Sequence, residues 1–468
     1  MTFNYDTYHA FQYDGDYYLF DNERLFSCLI NKNIYLALTN DDENYLNDKE
    51  KEMFNLFHSE NIFLVENPKT RYAIPIYDMV IVSMAVFHGC NLKCKYCFAE
   101  AGDNYQGTQR GFTREIINSA IDFLLTNSFF SKFNYYRINL VSGGEPLVDS
   151  KMFKTFISTL FERFEKSEKH LYVWFSTNGT LLTEDILKFI AKYNVGYGIS
   201  IDGCKKANDA LRVYPNGNGT YDKIVANIKM VQKIESIPQR LKELWGLMVY
   251  TQKNCDLIEN IDCMKKMGFS TVQMRFVRSN DQTLLIDKDY INYILNFVKK
   301  VFTDAIGGDD STLRLICNDS DYVGKIIKRV IMQTPCTVRC SAGSYMFSFA
   351  ADGNIYPCDS FVGNSSYIIG NFHSDIDRDK LEKYRDISVH IREKCRTCWA
   401  KFVCGGDCYH NSFLKHGDIL TPDSSYCEIM IPTIECIIAY SNQYRIKNRD
   451  GYAAFLSFLS IRERMSRK

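Results

Sequence analysis

Three cysteines in one short loop are the residues of this chain best suited to bind a metal. They stand in His88-Gly-Cys90-Asn-Leu-Lys-Cys94-Lys-Tyr-Cys97-Phe98, with the spacing C-x3-C-x2-C, after an apolar run. Three thiolates spaced in this way can bind three irons of a [4Fe–4S] cluster, and no cysteine follows closely enough to bind the fourth. The alternative is a structural zinc site, which needs four closed ligands and would have to use His88. The spacing favours a cluster with one open iron.

A second group of cysteines lies near the C-terminus. Its members are Cys336, Cys340, Cys358, Cys395, Cys398, Cys404, Cys408 and Cys427. Crowded cysteines in a chain without an export signal indicate metal binding in a reducing compartment, and the alternative here is a double zinc ribbon. The six other cysteines have ordinary helix or strand neighbours, so we assign them no role and expect small buried thiols. They are Cys28, Cys204, Cys255, Cys263, Cys317 and Cys436.

Between the two cysteine groups, short β-rich runs alternate with amphipathic segments. The predicted strands cover residues 80–87, 136–141, 171–176, 195–201, 244–250 and 272–277. Six β/α units in sequence predict an α/β fold with a parallel sheet, either doubly wound or curled into a partial (β/α)6 barrel of the TIM type. In both architectures ligands bind at the carboxyl ends of the strands, and the first cysteine motif follows the first strand.

The first 78 residues predict a separate small module. Residues 11–20 have the pattern of two strands that turn at Asp14-Gly15, and residues 33–38 continue the strand pattern. A polar, acidic segment from Asn40 then leads into an amphipathic helix. Strands followed by a helix indicate a winged-helix-like module, and the alternative is a decoration packed on the main domain.

The first cysteine motif, with an aromatic residue on each side of its third cysteine, resembles the signature of the radical S-adenosylmethionine (SAM) superfamily. Further motifs of that family follow successive predicted strands: Val141-Ser-Gly143-Gly144-Glu145-Pro146, Ser176-Thr-Asn178-Gly179 and Ser200-Ile-Asp202-Gly203. Taken singly, such motifs could be ordinary turns and caps. In order after successive strands, they support the resemblance.

The resemblance implies that the open iron binds the amino and carboxylate groups of SAM and that reductive cleavage releases a 5′-deoxyadenosyl radical. Glycine is expected in the Gly-Gly-Glu motif because a side chain would block close approach of the backbone to the ligand. Arg212 would hold the SAM carboxylate, or it could be a surface charge. The implied cofactor contacts are Phe98, Gly143, Gly144, Glu145, Ser176, Asn178, Ser200 and Arg212.

The C-terminal cysteines resemble the SPASM domain of peptide-modifying radical enzymes. The resemblance implies two auxiliary [4Fe–4S] clusters, and therefore three clusters in all. One would be held by Cys340, Cys358 and Cys408, with Cys336 as the fourth ligand, and the other by Cys395, Cys398, Cys404 and Cys427. The domains are then expected at 79–310 for the radical core, 311–335 for a connector, 336–440 for SPASM and 441–468 for a tail.

The SPASM resemblance implies a peptide or protein substrate. Asp359 follows Cys358, as a catalytic base does in anaerobic sulfatase maturases, although it could instead cap a turn after Pro357. Residues 361–364 and the N-terminal module resemble thioether-forming peptide maturases, in which such a module binds a leader peptide as an added strand. Thioether formation is therefore the first prediction, oxidation of cysteine or serine to formylglycine the second, and a non-catalytic metal-stabilised scaffold the third.

The overall charge gives little information about partners. The chain has 56 basic and 56 acidic residues, so no net field favours nucleic acid or an anionic membrane. The N-terminus lacks a signal peptide pattern, and the longest apolar stretch, 79–87, is too short to span a bilayer. We expect a soluble cytoplasmic enzyme that receives electrons from a donor such as flavodoxin or ferredoxin, as the family resemblance implies.

Overall fold

The structure is a computed structural model that describes residues 7–59, 78–102, 110–141 and 143–466. The strands are β1 (Tyr8–Tyr13), β2 (Asp16–Asp21), β3 (Ser27–Ile30), β4 (Met79–Met84), β5 (Tyr135–Leu140), β6 (His170–Thr177), β7 (Gly196–Ser200), β8 (Leu244–Tyr250), β9 (Phe269–Phe276), β10 (Met346–Phe349), β11 (Asn354–Tyr356) and β12 (Gly370–Asn371). The helices are α1 (Lys32–Asn40), α2 (Asp48–Ser59), α3 (Arg114–Thr126), α4 (Ser150–Phe164), α5 (Glu184–Lys192), α6 (Lys205–Leu211), α7 (Tyr221–Lys233), α8 (Leu257–Lys266), α9 (Ile291–Ile306), α10 (Ser311–Ile316), α11 (Gly324–Met332), α12 (Arg378–Asp386), α13 (Glu393–Arg396), α14 (Lys401–Cys404), α15 (Tyr409–His416), α16 (Ser424–Lys447) and α17 (Arg449–Ser466).

The chain folds into two compact units that do not follow its linear order. The barrel unit comprises Ile76–Leu285 and Ser341–Asp386. The helical unit comprises Met1–Pro75, Ile286–Cys340 and Ile387–Lys468. The range predicted as one SPASM domain, 336–440, therefore contributes residues to both units.

The barrel unit is built on one sheet with the order β12-β11-β10-β4-β5-β6-β7-β8-β9. Strands β4 to β9 are parallel and include all six predicted strands, which gives the partial barrel that the sequence predicts. Alternate residues face the helices, as in the contact between Phe153 of α4 and Phe175 of β6, whose ring centroids lie 4.9 Å apart. The opposite face carries Ser176 and Ser200, which are only partly buried.

Three short strands extend the sheet beyond the predicted six. Strand β10 pairs parallel with β4, and β11 and β12 follow antiparallel. Strand β11 ends at Tyr356, so Cys358 and Asp359 follow the end of a strand of the same sheet that carries the first cysteine motif. These three strands were not predicted, because two to four residues are too few to show an alternating pattern.

The N-terminal module has the predicted hairpin but a different third strand. The predicted strand over 33–38 is wrong, because these residues form α1, and the third strand is Ser27–Ile30. The Asn31 side chain caps α1 by accepting a hydrogen bond from the Ile34 nitrogen at 2.9 Å. Ile34, Ala37 and Leu38 then fall on one buried face, which a helix places together and a strand would not.

Two of the cysteines expected to be simple buried thiols are paired instead. Cys204, which precedes α6, and Cys263 of α8 form a disulfide. The close packing of Gly203 against Asn260 brings the two segments together, and Asn260 also accepts a hydrogen bond from the Cys204 nitrogen at 3.1 Å. A separation of 59 residues left no signal of this pair in the sequence.

Within the described ranges, the helices are either too short or too polar to cross a membrane. The long helices α16 and α17 interrupt their apolar positions with polar and charged residues.

Candidate functional site

The first cysteine motif forms a loop between β4 and α3 in the barrel unit. The Cys90 sulfur accepts hydrogen bonds from the Leu92 nitrogen at 3.3 Å and the Asn178 side chain at 3.8 Å, and the Cys97 sulfur accepts one from Ala101 at 3.4 Å. Cys94 interacts electrostatically with both other thiols. Backbone and amide donors thus orient the sulfurs, as hydrogen-bond donors around a metal site orient its ligands.

Burial makes the thiols of Cys90 and Cys94 costly to ionise unless a cation is bound. It raises the pKa of Cys90 to about 11 and that of Cys94 to about 12. The thiolate is the form that binds metal, so bound iron would supply the missing positive charge. The donor set therefore fits the [4Fe–4S] cluster that the sequence predicts.

The alternative of a closed zinc site finds no geometric support in the described residues. Among them, no three histidine, cysteine or acidic side chains converge as ligands of one metal ion. A four-iron cluster is larger than an ion, and each thiolate binds a different iron. His88 is buried, which lowers the pKa of its imidazole to about 4, and its ring packs against Gly143.

Gly143 and Gly144 pack directly against the cysteine loop. A Cβ atom on Gly144 would lie 2.3 Å from the Gly89 oxygen, and one on Gly143 would lie 2.3 Å from Nδ1 of His88. Gly143 also has a φ of 101°, which favours glycine. The structure adds a second reason for glycine at these positions, because the cysteine loop lies where a side chain would be. Contact of both glycines with the ligand stays a prediction.

Glu145 is buried and holds strand ends together. Its carboxylate accepts hydrogen bonds from the Asn178 nitrogen at 2.6 Å, the Thr177 hydroxyl at 2.9 Å and the Leu147 nitrogen at 3.1 Å. Burial nevertheless raises its pKa to about 7, against the opposing effect of these bonds. Asn178 continues the network by donating to Asn91 at 2.8 Å, inside the cysteine loop. The carboxylate thus positions the loop through the end of β6.

Arg212 is held in a buried ion pair rather than lying on the surface. Its guanidinium contacts both carboxylate oxygens of Asp202, with Nε–Oδ2 at 3.0 Å and Nη2–Oδ1 at 3.1 Å. Tyr96 of the cysteine loop donates to the same carboxylate at 2.7 Å, and the guanidinium lies 5.3 Å from its ring centroid. Burial opposes the charge, but Asp202 raises the pKa of Arg212 above its usual value. The sequence singled out Arg212 but not Tyr96.

Arg278 is a further site residue that the sequence analysis missed. It follows β9, and its guanidinium carbon lies 4.9 Å from the ring centroid of Phe98. The same side chain donates a hydrogen bond to Ser360, the neighbour of Asp359. Arg278 could have been identified from the sequence by its position just after the sixth predicted strand, because ligands bind at the carboxyl ends of parallel strands.

Four C-terminal cysteines lie near one another in the helical unit. Cys427 interacts electrostatically with Cys404, Cys395 and Cys398, and burial raises the pKa of Cys427 to about 12. These are the four residues predicted to bind one auxiliary cluster, and their mutual proximity and burial fit that group.

The other auxiliary set is divided between the units. Cys336, Cys340 and Cys408 belong to the helical unit, and Cys358 belongs to the barrel unit. Cys336 is near Cys404, and its sulfur lies 3.9 Å from the Val403 oxygen. The grouping of these four cysteines stays a prediction.

Comparison with known proteins agrees with this chemistry. The profile of the radical SAM superfamily matches residues 84–249, and that of the SPASM iron–sulfur cluster-binding domain matches residues 340–399. The chain is 26% identical over 72% of its length to a cysteine-type anaerobic sulfatase-maturating enzyme of Clostridium novyi, covering 90% of that protein. It is 23% identical over 74% of its length to the serine-type enzyme of Bacteroides thetaiotaomicron, covering 86% of it.

Solved structures share the fold. Native anSMEcpe with bound AdoMet superposes with a TM-score of 0.60 at 21% identity, over 78% of this chain and 97% of that one. Streptococcus suis SuiB bound to its precursor peptide SuiA superposes with a TM-score of 0.51 at 15% identity, over 91% of this chain and 99% of that one. The cysteine loop, the partial barrel and both matching profiles lead to one conclusion: the chain is an enzyme that contains a radical SAM domain followed by a SPASM domain.

Proposed function

We propose that the enzyme oxidises a cysteine or serine side chain of a peptide or protein substrate to an aldehyde, the reaction type of anaerobic sulfatase maturation. The observation that carries the proposal is the contact chain from Phe98 through Arg278 to Ser360, next to Asp359. Asp359 is thus the sequence neighbour of a serine that is bonded to an arginine in contact with the cysteine loop. The sulfatase-maturating relatives, which cover more than two thirds of the chain, support the same reaction.

In this proposal Cys90, Cys94 and Cys97 hold the SAM-binding cluster, and when bound, SAM and the cluster supply the radical that removes a hydrogen atom from the substrate. Arg212 holds the SAM carboxylate and stays oriented through its ion pair with Asp202. The other contacts proposed for SAM are Phe98, Gly143, Gly144, Glu145, Ser176, Asn178 and Ser200. Eight C-terminal cysteines hold two further clusters, and an external flavodoxin- or ferredoxin-like protein supplies electrons.

Asp359 is the proposed base. Loss of a hydrogen atom from the side-chain carbon and of one further electron, which an oxidised auxiliary cluster would accept, gives the aldehyde from serine; from cysteine it gives a thioaldehyde, which water hydrolyses to the aldehyde and hydrogen sulfide. In both cases a proton must also leave the substrate's oxygen or sulfur atom. A carboxylate within reach of that atom accepts the proton. Arg278, which donates to Ser360, fixes the turn that carries Asp359.

Thioether formation is the second candidate, and the N-terminal module favours it. The module is a three-stranded antiparallel sheet followed by two helices. Strand β3 is an end strand, and in the antiparallel register Leu29 lies opposite Tyr18, two residues beyond the pair Ser27–Phe20. Asp21 and Phe26 are a hydrogen-bonded pair, and in an antiparallel ladder hydrogen-bonded and non-hydrogen-bonded pairs alternate. Leu29 therefore belongs to a non-hydrogen-bonded pair, and its N–H and C=O point away from β2. Arg445 of α16 donates to the Ser27 oxygen on the same edge at 2.7 Å, whereas Leu29 is 38% exposed. An added peptide strand would therefore pair with β3 at Leu29.

Replacing Cys90, Cys94 and Cys97 together by alanine should abolish reductive SAM cleavage and spare the auxiliary clusters, because the ligand sets share no residue. Iron content should fall from about twelve to about eight per chain, one four-iron cluster fewer. The 5′-deoxyadenosine formed and the iron content are measured anaerobically, and Cys255→Ala is the matched cysteine control. Unchanged 5′-deoxyadenosine production by the triple variant would contradict the assignment of this loop.

Asp202→Asn should weaken SAM binding and stability together. It leaves the buried Arg212 guanidinium without its counter-charge, a change that costs about 3–5 kcal/mol when a buried pair is broken. Titration calorimetry with SAM and thermal unfolding of the reconstituted protein measure the two effects. The control is Asp222→Asn, which breaks only an exposed pair with Lys205. Equal melting temperatures and SAM affinities for the two variants would refute the proposed role of Asp202.

Asp359→Asn separates the two candidate reactions. If the carboxylate is the base, the variant should still produce 5′-deoxyadenosine but form at least about a hundredfold less aldehyde, the lower range for loss of a general base. Asp359→Glu, which keeps the carboxylate, should restore part of the product. Product mass spectrometry on a cysteine peptide is the readout. Aldehyde formation by Asp359→Asn at the wild-type rate would remove Asp359 from the mechanism.

Leu29→Pro tests the second candidate. Proline removes the outward N–H of β3 without touching a hydrogen bond to β2, so it should weaken binding of a leader peptide while SAM cleavage continues. Leu29→Ala removes the side chain but keeps the N–H and is the matched control. Peptide affinity is measured by fluorescence anisotropy. If Leu29→Pro binds and modifies every peptide as Leu29→Ala does, the module does not recognise a leader through this edge.

A further inference from the structure

Three positively charged side chains surround a cysteine pair in the helical unit. Arg329 of α11 and Arg339 are each 8% exposed, and Lys325 of α11 is partly buried. All three interact electrostatically with the Cys336 thiol, which is also near Cys404. We call Lys325, Arg329 and Arg339 the cation cluster.

The cation cluster is bonded to neutral acceptors. Arg329 donates to the backbone oxygens of Val403 at 2.7 Å and Cys404 at 3.1 Å, and Lys325 donates to the Arg339 oxygen at 2.9 Å. Arg339 donates to the Tyr426 hydroxyl. In the part of the chain that the structure describes, none of the three forms an ion pair with a carboxylate.

The two nearest acidic groups are already engaged. Asp319 pairs with Lys328 at 2.8 Å. Asp407 accepts hydrogen bonds from the nitrogens of Cys408 at 2.6 Å and Asp423 at 3.1 Å.

Lys328 shows the contrast on the same helix. It is as buried as Arg329, yet it contacts both Asp319 and Glu463. Buried charges are ordinarily paired because burial of an unpaired ion is costly. Carboxylates of the protein thus neutralise Lys328, whereas the cation cluster has no carboxylate ion pair in the described residues and would be balanced by a bound anion.

We propose that the cation cluster balances the charge, and raises the reduction potential, of one anionic iron–sulfur cluster, the one assigned to Cys395, Cys398, Cys404 and Cys427. A [4Fe–4S] core ligated by thiolates carries net negative charge, and reduction makes it more negative. Nearby fixed cations stabilise the reduced form more than the oxidised form. The proposal needs an auxiliary cluster at these cysteines and is independent of which bond the enzyme makes in its substrate.

The test is an EPR-monitored redox titration in the Cys90/Cys94/Cys97→Ala background, in which the remaining signals come from auxiliary clusters. Lys325→Met should move the midpoint of the auxiliary signal from this cluster to a more negative potential. At a fixed ambient potential, the reduced-to-oxidised ratio of that cluster should fall about tenfold, the effect of one charge near 10 Å at an effective dielectric constant of about 20. Lys325→Arg keeps the charge and should keep the midpoint.

Two further measurements separate the charge effect from a structural one. Lys328→Met removes a charge that contacts Asp319 and Glu463 and is not among the cations that act on Cys336, so the midpoint should shift less than in Lys325→Met even if stability falls. In the iron-free protein, Lys325→Met should melt no lower than the parent, because it removes a charge repelled by Arg329 and Arg339. An unchanged midpoint in Lys325→Met, an equal shift in Lys328→Met or Lys325→Arg, a lower melting temperature of iron-free Lys325→Met, or absence of auxiliary signals would each overturn the proposal.

Discussion

The close packing of the cysteine loop on Gly143 and Gly144 is the constraint on which the rest of the site depends. The backbone at Gly89 approaches Gly144 so closely that any side chain there would collide with it. The Glu145 nitrogen then donates to the Gly89 oxygen at 2.9 Å, so the second strand end fixes the loop after the first. With the loop fixed, the Cys90 sulfur faces the amide of Asn178, which comes from the third strand end.

The second organising factor is the compensation of buried positive charges, which differs between the two units. In the barrel unit, the buried charge of Arg212 is matched inside the protein by Asp202, and Tyr96 ties that pair to the cysteine loop. In the helical unit, Arg329 and Arg339 are buried against backbone oxygens and a hydroxyl. A protein carboxylate pre-organises the first site before any cofactor binds, whereas in our proposal the second gains its charge balance from a bound iron–sulfur cluster.

Two features of the chain favour different products. The turn that carries Asp359 is bonded through Ser360 to Arg278, an arrangement suited to proton removal from a substrate at the barrel mouth. The N-terminal module offers an end strand with an exposed leucine, an arrangement suited to peptide binding. Both reactions begin with hydrogen abstraction and remove two electrons from the substrate, so one radical site serves either. Aldehyde formation depends on the proposed proton acceptor Asp359, and thioether formation depends on the proposed peptide-binding edge of β3.

The sequence by itself determined the chemistry and the main architecture. Cys90, Cys94 and Cys97 identify a cluster because ligand spacing within one loop is local, and six strands were predictable because alternating apolar runs reflect local periodicity. Only the tertiary structure decided that residues 33–38 form a helix, since a short apolar run fits both periods until the Asn31 cap and the buried face select one. It also decided the contacts made by Arg278 and by the cation cluster. Such contacts join residues far apart in the chain, and no local pattern records which distant side chains the fold brings within a few ångströms.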